Sequence, residues 1–80
     1  MKWFQCWVSH PVADAVTIMK HCDPVIQRFG SVPCAPDGTP VRDADGFIEV
    51  RNYANEMGFG MTKSYLQDQG FVIEREQENE

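Results

Sequence analysis

FIEVRNYANEMGFGMTKSYLQDQGFVIERE, residues 47–76, is the stretch whose reading decides the fold. Its right-hand end is the plainer half. Phe71-Val72-Ile73 is too apolar to stand in water and predicts a strand over 71–76. Gly70 stops a helix before it, with Thr62 as cap and Met61 and Leu66 at hydrophobic-staple spacing, which predicts a helix over 62–69. The left half admits two readings. Phe47, Val50, Ala54 and Met57 recur at a helical period behind a capping Asp45, up to a stop at Gly58. Phe47 to Arg51 also alternates as a strand does, with Ile48 and Val50 on one side. The helical period runs further, so a helix over 47–57 is the preferred expectation. A strand there would instead give the order β-α-β-β-α-β and resemble a ferredoxin-like sandwich.

Outward from this stretch, Lys2 to Val8 predicts a strand. Phe4, Cys6 and Val8 fall on one face, and Trp3 and Trp7 on the other. Ser9-His10-Pro11 reads as a helix start, and Val12, Ala15, Val16 and Met19 form a helical stripe over 11–22. Asp23-Pro24 ends that helix, because the residue before proline is pushed out of the helical region. Asp23 then caps a second turn over 24–29, stopped by Gly30; one continuous kinked helix is the alternative. Val32-Pro33-Cys34 suits a short edge strand, and Pro36-Asp37-Gly38 and Asp43-Ala44-Asp45-Gly46 mark turns. The expected fold is therefore α+β: one small domain over 1–76, with a short antiparallel or mixed sheet from strands near 2–8 and 71–76. Helices near 11–22, 24–29, 47–57 and 62–69 pack on it, and an acidic tail frays over 77–80.

Composition narrows function by exclusion. Eighty residues carry a formal charge of −5, with seven basic residues spread along the chain. Phosphate neutralisation by Lys and Arg supplies most non-specific affinity for nucleic acid, and no basic patch is visible. No apolar run reaches the length of a membrane span, and the first ten residues lack the long apolar core of a secretion signal. Cys6, Cys22 and Cys34 make an odd count, which closes no disulfide framework within one chain and points to a reducing cytoplasm.

Ala54, Gly58, Phe59, Thr62, Tyr65, Leu66, Gly70 and Phe71 resemble the small-residue, turn-glycine, apolar pattern of the helix-turn-helix in bacterial transcription factors. That resemblance covers about the last third of the chain. It implies a winged-helix-like DNA-binding regulator in which Lys63, Ser64 and Gln67 reach the bases. Against it, Lys63 is the one basic residue of the implied recognition helix, and Asp68 shares that helix.

The remaining constellations point to no catalysis. Cys6, His10, His21, Cys22 and Cys34 have the chemistry of zinc ligands but not the spacing of a finger. Cys6 with His10, or Cys34 with His21, is formally a nucleophile pair, yet no motif surrounds either thiol. Asp43, Asp45 and Glu49 imitate part of a calcium loop, whose first ligand position would fall on Val41; a turn and a cap account for them. No metal, cofactor or catalytic residue is assigned.

Trp3 and Trp7 are the residue type most enriched at binding hot spots. Asp43, Asp45, Glu74 and Glu76 can rim such an anchor and steer a partner with a basic surface. The expected function is thus a non-catalytic binding protein that occupies a surface on another macromolecule. In style it resembles bacteriophage or prophage accessory proteins that inhibit host defence or transcription. A homodimer burying the tryptophan face is also compatible with the sequence.

Overall fold

The computed structural model describes residues 2–33 and 46–80. Six elements follow one another: β1 (Trp3–Ser9), α1 (Ala15–Arg28), β2 (Ser31–Pro33), β3 (Ile48–Asn52), α2 (Glu56–Asp68) and β4 (Val72–Asn79). They form one antiparallel sheet in the order β2-β3-β1-β4. β1 and β2 run parallel with β3 between them, and β3 and β4 run parallel with β1 between them. These two interleaved β-α-β units make the ferredoxin-like element order, so the α+β class holds with the strand alternative at 48–52.

The helix expected over 47–57 is corrected to β3 and the start of α2. Ile48, Val50 and Asn52 lie opposite Val8, Cys6 and Phe4 and are buried. Phe47 is only half-buried and Ala54 and Met57 are exposed, so the longer helical period corresponds to no packed face. Asn55 caps α2 by accepting from the Gly58 N–H at 2.6 Å, and Glu56 sits in the first turn near the positive end of the dipole. The helix expected to begin at Thr62 therefore begins at Glu56.

Two further boundaries move. α1 starts at Ala15, because Asp14 accepts from the Val16 N–H at 3.0 Å and the Thr17 hydroxyl at 3.1 Å. It then runs through Pro24 as a single helix. Pro24 and Lys20, whose carbonyl loses its N–H partner to the proline, are both exposed residues. β4 continues to Asn79 opposite Trp3, in place of a tail fraying from 77.

Both helices cover one sheet face. Phe4, Cys6, Val8, Ile48 and Val50 point towards Ala15, Met19, Cys22 and Ile26 of α1 and Phe59 and Leu66 of α2, closed at one end by Phe71. Within this core lies a polar junction. Asn52 donates to the Phe29 carbonyl (2.8 Å) and the Ser31 hydroxyl (2.7 Å), and accepts from the N–H groups of Ala54 (2.9 Å) and Asn55 (3.1 Å). Thr62 spends its single proton on the Gly58 carbonyl at 2.8 Å, so Ser31 donates to Thr62 across 2.6 Å. Donors thus run one way, from Asn52 through Ser31 and Thr62 to Gly58. The relay ties the end of α1, β2, β3 and the first turn of α2 into one unit. Gly58 is required here for proximity: a Cβ would run into the Phe29 carbonyl.

Candidate functional site

The second face of the sheet carries no helix or strand among the described residues, and the period of two decides what it displays. β1 presents Trp3, Gln5 and Trp7; β3 presents Glu49 and Arg51, flanked by Phe47 and Tyr53. From β4, Glu74 lies opposite Trp7, and Gln77 opposite Gln5. This register shifts by one residue, so Cys6 faces both Arg75 and Glu76. The bulge places Arg75 in the left-handed region at φ 56°, uncommon for a side chain other than glycine, asparagine or aspartate. Its guanidinium lies over the rings of Trp7 (4.7 Å) and Phe47 (5.0 Å).

A parallel arrangement occupies the other end of the face. Arg51 lies over the Trp3 ring at 5.2 Å, and Tyr53 stacks on Trp3 with centroids 5.7 Å apart. Beneath them is a buried carboxylate. Glu49 accepts from the Gln5 amide and from Arg51 Nε, the latter at 2.5 Å, and its side chain is only 7% exposed. Arg51 reaches on to the Tyr53 hydroxyl at 3.1 Å. The hydrogen bond to Glu49, then the one to Tyr53, raises the Arg51 pKa above its ordinary value. The charge that a lone Glu49 would leave in the sheet is thus matched by a guanidinium fixed on an aromatic face.

The sequence-predicted partner residues divide between surfaces. Trp3, Trp7 and Glu74 share this face. Glu76 is carried to the helix side by the bulge, where it pairs with Lys63 of α2. Asp43 and Asp45 lie outside the described residues, as do Cys34 and the calcium-like turn. Sequence reasoning missed Arg51, Arg75, Phe47 and Tyr53. Phe47 and Arg51 were legible as partners of the tryptophans once 47–51 is read as a strand. The bulge that turns Arg75 onto the face has no sequence signal.

The helix-turn-helix is corrected by the same geometry. Among the described residues, its first helix is replaced by β3, and Gly58 lies inside α2, not at a turn between two helices. Lys63, Ser64 and Gln67 do come together, with Gly60, Ile73 and Glu76, around an open depression of about 340 Å³. The Lys63 ammonium there is held by Glu76 and lies 4.7 Å from the Phe59 ring centre.

The two described thiols, Cys6 and Cys22, are placed for packing. Cys6 is fully buried and its pKa is pushed up to about 12, first by burial and then by the Glu76 carboxylate. Cys22 is likewise raised by burial, against a hydrogen bond to Tyr65 that acts in the opposite direction. A nucleophilic thiol needs the reverse shift. His10 hydrogen-bonds the Gln69 carbonyl at 3.0 Å and sets its ring edge-on to Phe71, while His21 is exposed. Among the described residues, no three His, Cys, Asp or Glu side chains stand close enough together to hold a metal ion. No helix of the described residues is long and apolar enough to cross a membrane.

Comparison of the chain with known protein families, with curated proteins and with solved structures finds no match.

Proposed function

We propose that this chain is a protein-binding domain that acts by occupying a surface on another macromolecule through the helix-free face of its sheet. The supporting observation is one of composition in space. Trp, Tyr and Arg dominate binding hot spots, and both tryptophans of the chain stand on this face with Tyr53, Arg51 and Arg75. The guanidiniums are already stacked and Glu49 is already paired, so ordering this face costs a partner little side-chain entropy. The free, buried Cys6 and Cys22 suit a reducing cytoplasm as the place of action. An acidic chain with such an anchor would favour a protein partner over nucleic acid, whose phosphates it repels.

The test is affinity capture from bacterial lysate, before and after nuclease treatment, with three tagged proteins: wild type, Trp7→Ala and Tyr53→Ala. Tyr53 is 45% exposed, so its truncation leaves the core intact. Capture of one protein by wild type and its loss from both variants, each with a native circular dichroism spectrum, is the expected result. Equal capture by all three, or nucleic acid as the sole ligand before nuclease, would overturn the reading.

A further inference from the structure

The two edges of the sheet are treated differently. Among the described residues β2 spans three positions, the last of them Pro33, which has no N–H to offer a new strand. β4 is eight residues long, contains no proline, and has β1 as its one strand neighbour among the described residues. Long edges present rows of backbone donors and acceptors, and proteins blunt them by shortening, by proline or by charge. β2 shows two of these devices; β4 shows charge and, at Arg75, a bulge that divides its edge into two extended stretches, and all but one of its charges have the same sign. Residues 72–80 hold Glu74, Glu76, Glu78 and Glu80 against Arg75. Arg75 is turned over Trp7 and Phe47, away from the edge. Lys63 reaches Glu76 from α2, and Lys2 reaches Glu78 at 3.6 Å from the start of β1, both from the body of the molecule. A strand arriving from outside therefore meets carboxylates first.

We propose that the outer edge of β4 accepts an extended basic segment of a partner protein as a fifth strand of the sheet. Backbone hydrogen bonds to Val72–Glu74 and Glu76–Asn79, on either side of the bulge at Arg75, supply the register, and carboxylates select the charge. Glu76 and Glu78 project to the helix side, whereas Glu74 projects to the helix-free side. The fitting segment thus carries Lys or Arg at alternate positions along one face. A second copy of β4 is a poor occupant, because most antiparallel registers bring carboxylates into cross-strand contact. This inference does not depend on the tryptophan face being a docking site.

The experiment uses the full chain and a synthetic nine-residue peptide alternating lysine and valine. Binding is followed by amide hydrogen exchange and by titration. Two control peptides accompany it: one with glutamate for lysine, and one with the same charges but alternate backbone amides methylated along the pairing edge. The expected result is slowed exchange confined to residues 72–79 and at least tenfold weaker binding of both controls. Glu76→Gln with Glu78→Gln, both at exposed positions on the helix side, should weaken the lysine peptide severalfold without altering the fold. Equal binding of the methylated peptide would reduce the interaction to charge alone and overturn the proposal. So would protection outside β4, no binding of the lysine peptide, or a dimer in sedimentation that protects the same amides.

Discussion

Glu49 and Asn52 stand three residues apart on β3, both buried, on opposite faces of the sheet. Asn52 enters the helix side and satisfies its amide with four neutral partners from α1, β2 and the β3–α2 connection. Glu49 enters the helix-free side and is satisfied by one amide and one guanidinium. The first arrangement positions backbone and closes the molecule. The second positions a cation on a ring, in a layer over which the described residues place no helix or strand. The helix side thus holds the fold, while the other side holds a pattern of side chains in place. The two sides should consequently respond differently to substitution.

The largest effect belongs to the junction. Asn52→Ala leaves the Phe29 carbonyl and the Ala54 and Asn55 N–H groups without their side-chain partner and takes one donor from the Ser31 hydroxyl, and should cost about 3 kcal/mol. Urea denaturation followed by tryptophan fluorescence reads this as a lowered midpoint with an unchanged slope. A loss below about 1 kcal/mol would mean that water replaces the amide and that the junction does not set the fold.

On the other side, Arg51→Ala strips Glu49 of its charge partner. A fully buried pair broken in this way costs about 3–5 kcal/mol. Arg51 is 30% exposed, so solvent reduces that figure and about 2 kcal/mol is expected. Glu49→Gln with Arg51→Ala should recover part of the loss, because no uncompensated charge remains. If the double variant is no better than the single one, stacking on Trp3, and not charge, is what Arg51 contributes.

The pH dependence separates the faces next. Cys6 lies on the helix side with its thiol pKa raised from 9.0 to about 12. The folded state therefore binds this proton more tightly than the unfolded chain. The stabilisation is complete below pH 9 and is lost as the pH climbs towards 12. The slope over that window is on the order of 1 kcal/mol per pH unit. Cys6→Ala should be less stable near pH 7 through its cavity, yet lose less between pH 9 and 11 than wild type does. Parallel curves for the two proteins would show that the thiol is reached by water.

How far the sequence carries this picture depends on which force wrote each element. β1 and the body of α1 follow from apolar periodicity alone, because their buried residues recur without interruption; β4 buries none of its residues and is announced only by the apolar Phe71-Val72-Ile73 at its start. β3 was obscured by accidental helical spacing, since Phe47, Ala54 and Met57 match a period that no packed face uses. Asn52 and Asn55 were the overlooked signals: one closes the strand and the other caps the helix, both through side-chain bonds to backbone. The tryptophans were correctly placed together on the second face of β1. Their guanidinium partners depend on pairing with β3 and on a bulge in β4, and pairing register is a tertiary property.

The smallest effect tests that bulge. Arg75 combines an unfavourable backbone conformation at φ 56° with favourable contacts to two rings. Arg75→Ala removes the contacts and keeps the strain, so it should cost about 1 kcal/mol. Arg75→Gly removes the same contacts and also relieves the strain, worth about 1 kcal/mol in the left-handed region. It should therefore lie close to wild type in stability and above alanine. The order wild type ≈ Gly > Ala in thermal midpoint would show that the bulge is imposed by the sheet and that the arginine is held there for its head group. If Gly and Ala prove equally destabilised, the left-handed conformation is not maintained in solution. Arg75 would then no longer bridge Trp7 and Phe47, and the helix-free face would lose half of its ordered layer.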